Sequence, residues 1–301
     1  MNNAWIWEHF VSRKDDSRVC RVGLAGLACL ALAVTANAQG GGNASADASG
    51  AAAGAAAKNN TTVGRDISTS NPEVALEIIR PPEKKEAKAY DAFKAVPATD
   101  YAKKIQAGES FLKAYPKSEL TRYVYPVLVV CYIQSGQIDK GMTTAQKDFE
   151  VNPKDFRTMA VLSQTLARTY NATAANADEQ LAKANDYGKK ALEGVPTLVK
   201  PEGVTDEVFA QAKADIEAMA RGGVGLVLLQ QKKYADAIPD LQKATTLNTN
   251  DQTNFYLLGV ASQNSDHFAE AAAAFEKCAA LPGNLQETCK SGAAEAKKLA
   301  N

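Results

Sequence analysis

The chain has 301 residues, with 34 basic side chains against 34 acidic ones. That balance offers no electrostatic footprint for nucleic acid, which normally requires a basic face, and nothing in the sequence marks a local basic patch. Alanine is abundant and aromatics make up only 7%, a composition that favours helix over sheet, and the length suits one large domain or two ordinary ones.

The N-terminus reads as a processing signal. Arg18 and Arg21 precede an uncharged apolar run from Val22 to Val34, and Ala36-Asn37-Ala38 then places small residues where a signal peptidase reads. This predicts a secretory signal peptide over residues 1–38, cleaved after Ala38. The run is about 13 residues, short of the roughly 20 that a bilayer core needs. Two alternatives stay open: an uncleaved anchor, and lipidation at Cys29, for which Gly26-Leu27-Ala28 is a poor lipidation box. Cleavage removes Arg13, Lys14, Arg18 and Arg21 together with Glu8, Asp15 and Asp16, leaving 30 basic and 31 acidic groups. His267 is then the one histidine, and Cys131, Cys278 and Cys289 are the cysteines.

Residues 39–80 are predicted to be a disordered low-complexity linker, because Gly, Ala, Asn, Ser and Thr cannot bury enough apolar surface to offset ordering entropy. A helical domain is expected from 81 to 301. Pro81-Pro82 open a helix to about Ala95, and a second covers Thr99 to Ala114. Further helices are predicted at 119–135, 138–150, 155–170 and 178–193, the last two joined by a polar insertion at 171–176. Thr205 caps a long helix that reaches Gln231, with Asp206 and Glu207 at its positive end. Segments 234–247, 251–264, 268–280 and 285–299 follow. Pro126 and Pro239 fall inside predicted helices, where a missing N–H normally costs about 3 kcal/mol. A kink or late start is expected at Pro126, and a first-turn placement softens Pro239.

Two C-terminal stretches superimpose at a spacing of 34 residues. Gly225 maps onto Gly259, Tyr234 onto Phe268, Ala237 onto Ala271, Leu241 onto Phe275 and Ala244 onto Cys278. A small–large–small pattern at that period is the mark of stacked helix–turn–helix units. On these residues the chain resembles the tetratricopeptide repeat family. The resemblance extends with less regularity through Gly136, Gly141, Ala145 and Pro153, through Leu162, Ser163, Ala184 and Ala191, and through Tyr101, Phe111 and Pro116. It implies an all-α fold: a superhelical solenoid of antiparallel helix pairs, about four to five repeats, closed by a capping helix at 285–299.

The resemblance also implies a non-catalytic exported scaffold that binds a protein or peptide along its concave face. The alternatives are an auxiliary component of an envelope assembly or secretion machine held at the membrane and, more distantly, an enzyme of unknown type. By the family's register the contact residues are Tyr123, Gln134, Arg157, Gln164, Arg168, Tyr256, Gln263 and Asn264. The Lys, Asn and Arg set with which such repeats clamp an acidic C-terminal tail is absent from these places. Arg157 and Arg168 are the polar contacts of choice, against a plain reading as solvated helix charges. No catalytic motif, cofactor site or metal-ligand cluster is visible, and a periplasmic or cell-envelope location follows from the signal. Cys278 and Cys289 flank the turn at 281–284. They are either a disulfide between the last repeat and the cap helix or, for Cys278, a small buried residue in its slot.

Overall fold

The computed structural model describes residues 83–200 and 204–301. The expected signal peptide, the linker and Pro81-Pro82 lie outside the described residues. The described residues form helices α1 (Lys84–Ala95), α2 (Tyr101–Ala114), α3 (Thr121–Gln134), α4 (Ile138–Val151), α5 (Phe156–Arg168), α6 (Ala177–Gly194), α7 (Asp206–Gln230), α8 (Tyr234–Leu247), α9 (Gln252–Asn264), α10 (Phe268–Ala280) and α11 (Gln286–Ala300), with no strand among them. Consecutive helices pair as α1/α2, α3/α4, α5/α6, α7/α8 and α9/α10, and α11 lies against α10.

Local chemistry sets the ends. Glu83 and Glu86 form a capping box that opens α1. Asp100, Asp155 and Asp251 accept from the backbone N–H groups that begin α2, α5 and α9 and have no partner within the helix, and Thr205 does so for α7. The buried Lys104 closes α1 from the other side: its ammonium donates to the carbonyls of Phe93, Lys94 and Val96 at 2.9, 3.2 and 2.8 Å. These are carbonyls that a helix C-terminus leaves without partners. The two prolines behave alike. Pro126 and Pro239 are each the sixth residue of their helix, α3 starting at Thr121 and α8 at Tyr234. Each removes one hydrogen bond near the first turn and leaves its helix unbroken.

The 34-residue period is a packing period. A Cβ on Gly225 would stand 2.7 Å from Leu241 Cδ2, and one on Gly259 would stand 2.6 Å from Phe275 Cδ1. In both units the glycine admits the large residue of the partner helix. Ala237, Leu241, Ala244, Ala271, Phe275 and Cys278 are all buried, while Tyr234 and Phe268 pack partly buried at the starts of α8 and α10. The turns repeat too. Gly136, Lys232 and Asp266 hold the same place in their units and share a left-handed backbone, with φ of 78°, 60° and 61°. That conformation suits glycine; lysine and aspartate adopt it here because the helix-to-helix turn demands it.

Candidate inner-face site

The first helices of successive pairs, α3, α5, α7 and α9, form the row on which a groove would be built. Two cross-braces hold its centre. Gln164 Nε2 donates to the Met219 carbonyl at 3.1 Å, and Gln230 Nε2 donates to the Ala167 carbonyl at 3.0 Å. Gly222 and Gly223 let α7 come close to its neighbours: a Cβ there would lie 2.3 Å from Asn254 Oδ1 and 2.4 Å from Ser163 Oγ respectively. Outside this row, Arg221 ties α7 to α8 through Asp240 at 2.6 Å while also holding Glu217.

The register-derived contact residues divide on burial. Tyr123 and Tyr256 are core residues, which corrects their expected place on the groove. Tyr123 is 3% exposed and lies 6.2 Å from the Tyr90 ring, and Tyr256 lies 6.0 Å from the Phe275 ring. Burial pushes the Tyr256 phenol up to about 12, so it stays neutral throughout the ordinary pH range. Gln164 is engaged in the brace above. Asn264 donates to the Val260 carbonyl at 2.8 Å, which holds its amide along its own helix. Gln263 is partly buried and Gln134 is exposed at the end of α3.

The two arginines lie at opposite ends of α5. Arg157 is partly buried at its first turn, where burial lowers the guanidinium and the carboxylates of Asp155 and Asp215 offset that effect. Arg168, at the last turn, is exposed as a residue, yet burial of its guanidinium lowers its pKa, opposed by the charge of Asp251. Among the described residues Arg168 has no side-chain hydrogen bond and no salt bridge. A cation crowded by protein but open to solvent and unpaired is a good receiver for an incoming acceptor.

Other sequence candidates resolve simply. Cys278 and Cys289 are joined in a disulfide, with Cα atoms 5.8 Å apart and a sequence separation of 11. Both are fully buried, so Cys278 fills its small-residue slot and bridges to α11 at once. The Gln252 side chain clasps the same turn, donating to the Cys278 and Leu281 carbonyls and accepting from Leu285 N at 3.2 Å. His267 is exposed at the start of α10, and Cys131 is buried and outside the disulfide. No cluster of three or more metal-ligating side chains occurs among the described residues. Nor is any helix there long and apolar enough to cross a membrane.

Sequence reasoning passed over one group. Asp148 in α4 is fully buried, and neither carboxyl oxygen has a hydrogen-bond partner. The available signal was an aspartate in a slot that holds Ala244 and Cys278 in later units.

No protein-family model matches the chain, and no curated protein matches it. Among solved structures it is similar to PilW, described as a widely conserved type IV pilus biogenesis factor, at 15% identity over 72% of this chain and 91% of that one, with a TM-score of 0.49. A double mutant of MamA RS-1 matches at 14% identity over 69% and 97%, with a TM-score of 0.47. The TPR2AB domain of yeast Sti1 in complex with an HSP90 peptide matches at 15% identity over 72% and 95%, with a TM-score of 0.23. By its own 34-residue packing period, its glycine-to-large-residue slots and its recurring left-handed turns, the chain is a tetratricopeptide-like solenoid of helix pairs.

Proposed function

We propose that this protein is a non-catalytic repeat scaffold, exported by its N-terminal signal, that binds a protein or peptide along the row formed by α3, α5, α7 and α9. The observation that carries this reading is Arg168, an exposed residue at the end of α5 that makes no salt bridge among the described residues and has Asp251 as its nearby opposite charge. Around it the row is braced by Gln164 and Gln230, so a bound segment meets a surface that is already ordered. Preorganisation of that kind reduces the entropy lost on binding. Arg157 serves as a secondary contact, since it is partly buried beside Asp155 and Asp215.

A photo-crosslinking amino acid at position 168, compared with one at the exposed Lys243 of α8, tests the surface in cell-envelope extracts. A discrete adduct from position 168 and none from 243 supports the inner row. Equal labelling from both positions, or from neither, defeats it. Export is tested separately: the mature protein is expected to begin at Gln39 on N-terminal sequencing, and a lipid-modified Cys29 would replace that reading with membrane anchoring.

A further inference from the structure

The apolar interior changes character along the stack. The N-terminal cluster gathers Tyr90, Phe93, Phe111, Tyr123 and Leu128 from α1 to α3. The C-terminal cluster runs from Leu166 to Ala296. Where the α3/α4 pair meets the α5/α6 pair, the fully buried apolar contact narrows to Val129, Ala145 and Leu162, with Ile133, Met142, Phe149 and Tyr187 partly buried around it.

Asp148 belongs to this joint. In α4 it holds the place that Ala244 holds in α8 and Cys278 in α10. It has no exposed surface and both carboxyl oxygens lack a hydrogen-bond partner. The second carboxyl nearby is Asp155, 9% exposed, which is occupied with Thr158 N at 3.0 Å and Thr158 Oγ at 2.7 Å. Tyr125 of α3 and Glu150 of α4 complete the acidic neighbourhood. Tyr187 of α6 packs on Phe149, their ring centroids 5.8 Å apart. The cation on this side is Arg157 of α5, which acts on Asp155 rather than on Asp148.

We propose that the joint between the α3/α4 pair and the α5/α6 pair is a proton-dependent hinge, closed while Asp148 carries its proton and loosened when that proton passes to solvent. An ionised carboxylate in this place would face Asp155, and the hydroxyl beside it that favours the charge, that of Thr158, is already donated to Asp155. A buried charge without its own donor carries a large desolvation penalty even after relaxation, and the apolar layer beside it is thin. Hydration of the charge therefore requires the two pairs to part. A stack permits this locally, because each unit contacts only its neighbours. Burial, followed by the charge of Asp155, pushes the Asp148 carboxyl up to about 10. The closed joint thus holds one proton more than the open joint at any pH between the ordinary carboxylate range and that value. The closed-to-open ratio then falls by up to tenfold per pH unit. This inference stands apart from the partner-binding proposal above.

The test uses the full chain with Cys131→Ala and spin labels at Lys113→Cys in α2 and Lys189→Cys in α6, one on each side of the joint. Pulsed electron-resonance distances are recorded at pH 5, 7 and 9. The expected result is a longer-distance population that grows several-fold from pH 5 to pH 9, and that in Asp148→Asn is the same at all three. A control pair at Lys189→Cys and Lys243→Cys, both on the C-terminal side, is expected to stay constant. Identical distributions at pH 5 and 9 across the joint overturn the hinge. So does an equal shift in Asp148→Asn, or an equal shift in the control pair, which would mean general unfolding. Should Asp148→Asn fail to fold, Asp148→Ala takes its place, since alanine is the residue of this slot in α8.

Discussion

In α8 and α10 the inward place one turn beyond the large packing residue is filled by Ala244 and Cys278; in α4 the same place holds Asp148, just as buried. The contrast extends across each unit. Leu241 and Phe275 pack into the space left by Gly225 and Gly259. In the α3/α4 unit, Val129 and Ala145 stand in those two places, and the layer they make is thin. The same helix-pair geometry thus accommodates a tight apolar seam and a seam that contains an unpartnered carboxyl. Architecture is set by the small and large slots. How firmly two units hold together is set by what fills them.

The largest expected effect lies in the tight seam. Phe275 meets Gly259 of α9, Gly292 of α11 and the Tyr256 ring, so Phe275→Ala removes contacts on two sides. Such a truncation costs about 3–5 kcal/mol, read as a lower midpoint in chemical denaturation; a loss under half of that would mean that the seam collapses onto the cavity.

The loose seam is expected to respond in the opposite direction. Asp148 keeps its proton when folded and releases it when unfolded above about pH 4, its ordinary carboxylate value. The unfolded state therefore binds fewer protons, and the unfolding free energy falls as pH rises from there toward about 10. Asp148→Asn is expected to gain roughly 2–4 kcal/mol at pH 8 by that linkage. It is also expected to show little gain at pH 4 and a flatter profile between the two. Denaturation at pH 4, 6 and 8 checks this, and a gain equal at all three values would assign the effect to packing rather than to the proton.

The disulfide comes next. Opening an eleven-position loop between Cys278 and Cys289 is expected to lose roughly 2–3 kcal/mol on the chain-entropy account. The paired variant Cys278→Ala, Cys289→Ala measures it without introducing a charge. Non-reducing mass measurement on the purified protein is expected to find Cys278 and Cys289 bridged and Cys131 outside the disulfide.

The smallest effect concerns the turns. Asp266→Gly places glycine where φ is 61°, as Gly136 already does at its own turn, and is expected to gain up to about 1 kcal/mol. A loss instead would show that the aspartate makes up for its backbone strain through its own contacts.

The helices were legible to within a few residues because their punctuation is local. Asp and Thr caps, the prolines at helix starts and the polar turns all act within one turn of chain. The α7–α10 units were legible because a glycine opposite a large residue has to recur wherever two helices cross at the same distance. The inner-face residues were less legible. Register places Tyr123 and Tyr256 on the first helices of their units, but large rings there turn into the core against Tyr90 and Phe275. Gln164 reads as a free amide until the Met219 carbonyl of another helix is set beside it, 55 positions away. Asp148 was the hardest to see. An aspartate near the end of a helix looks solvated, and its burial depends on α5, which arrives only when the units stack.

One end of this stack is stapled and the other is not. Cys278–Cys289 and the Gln252 clasp fasten α11 to the last pair covalently and by hydrogen bonds. At the far end α1 is held by the packing of Tyr90 and Phe93 and by the Lys104 ammonium laid across three carbonyls, with no covalent link among the described residues. Under mechanical load or during degradation the molecule therefore has a direction. Its described part is expected to give way last at the C-terminal pair, where a covalent bond adds to the packing.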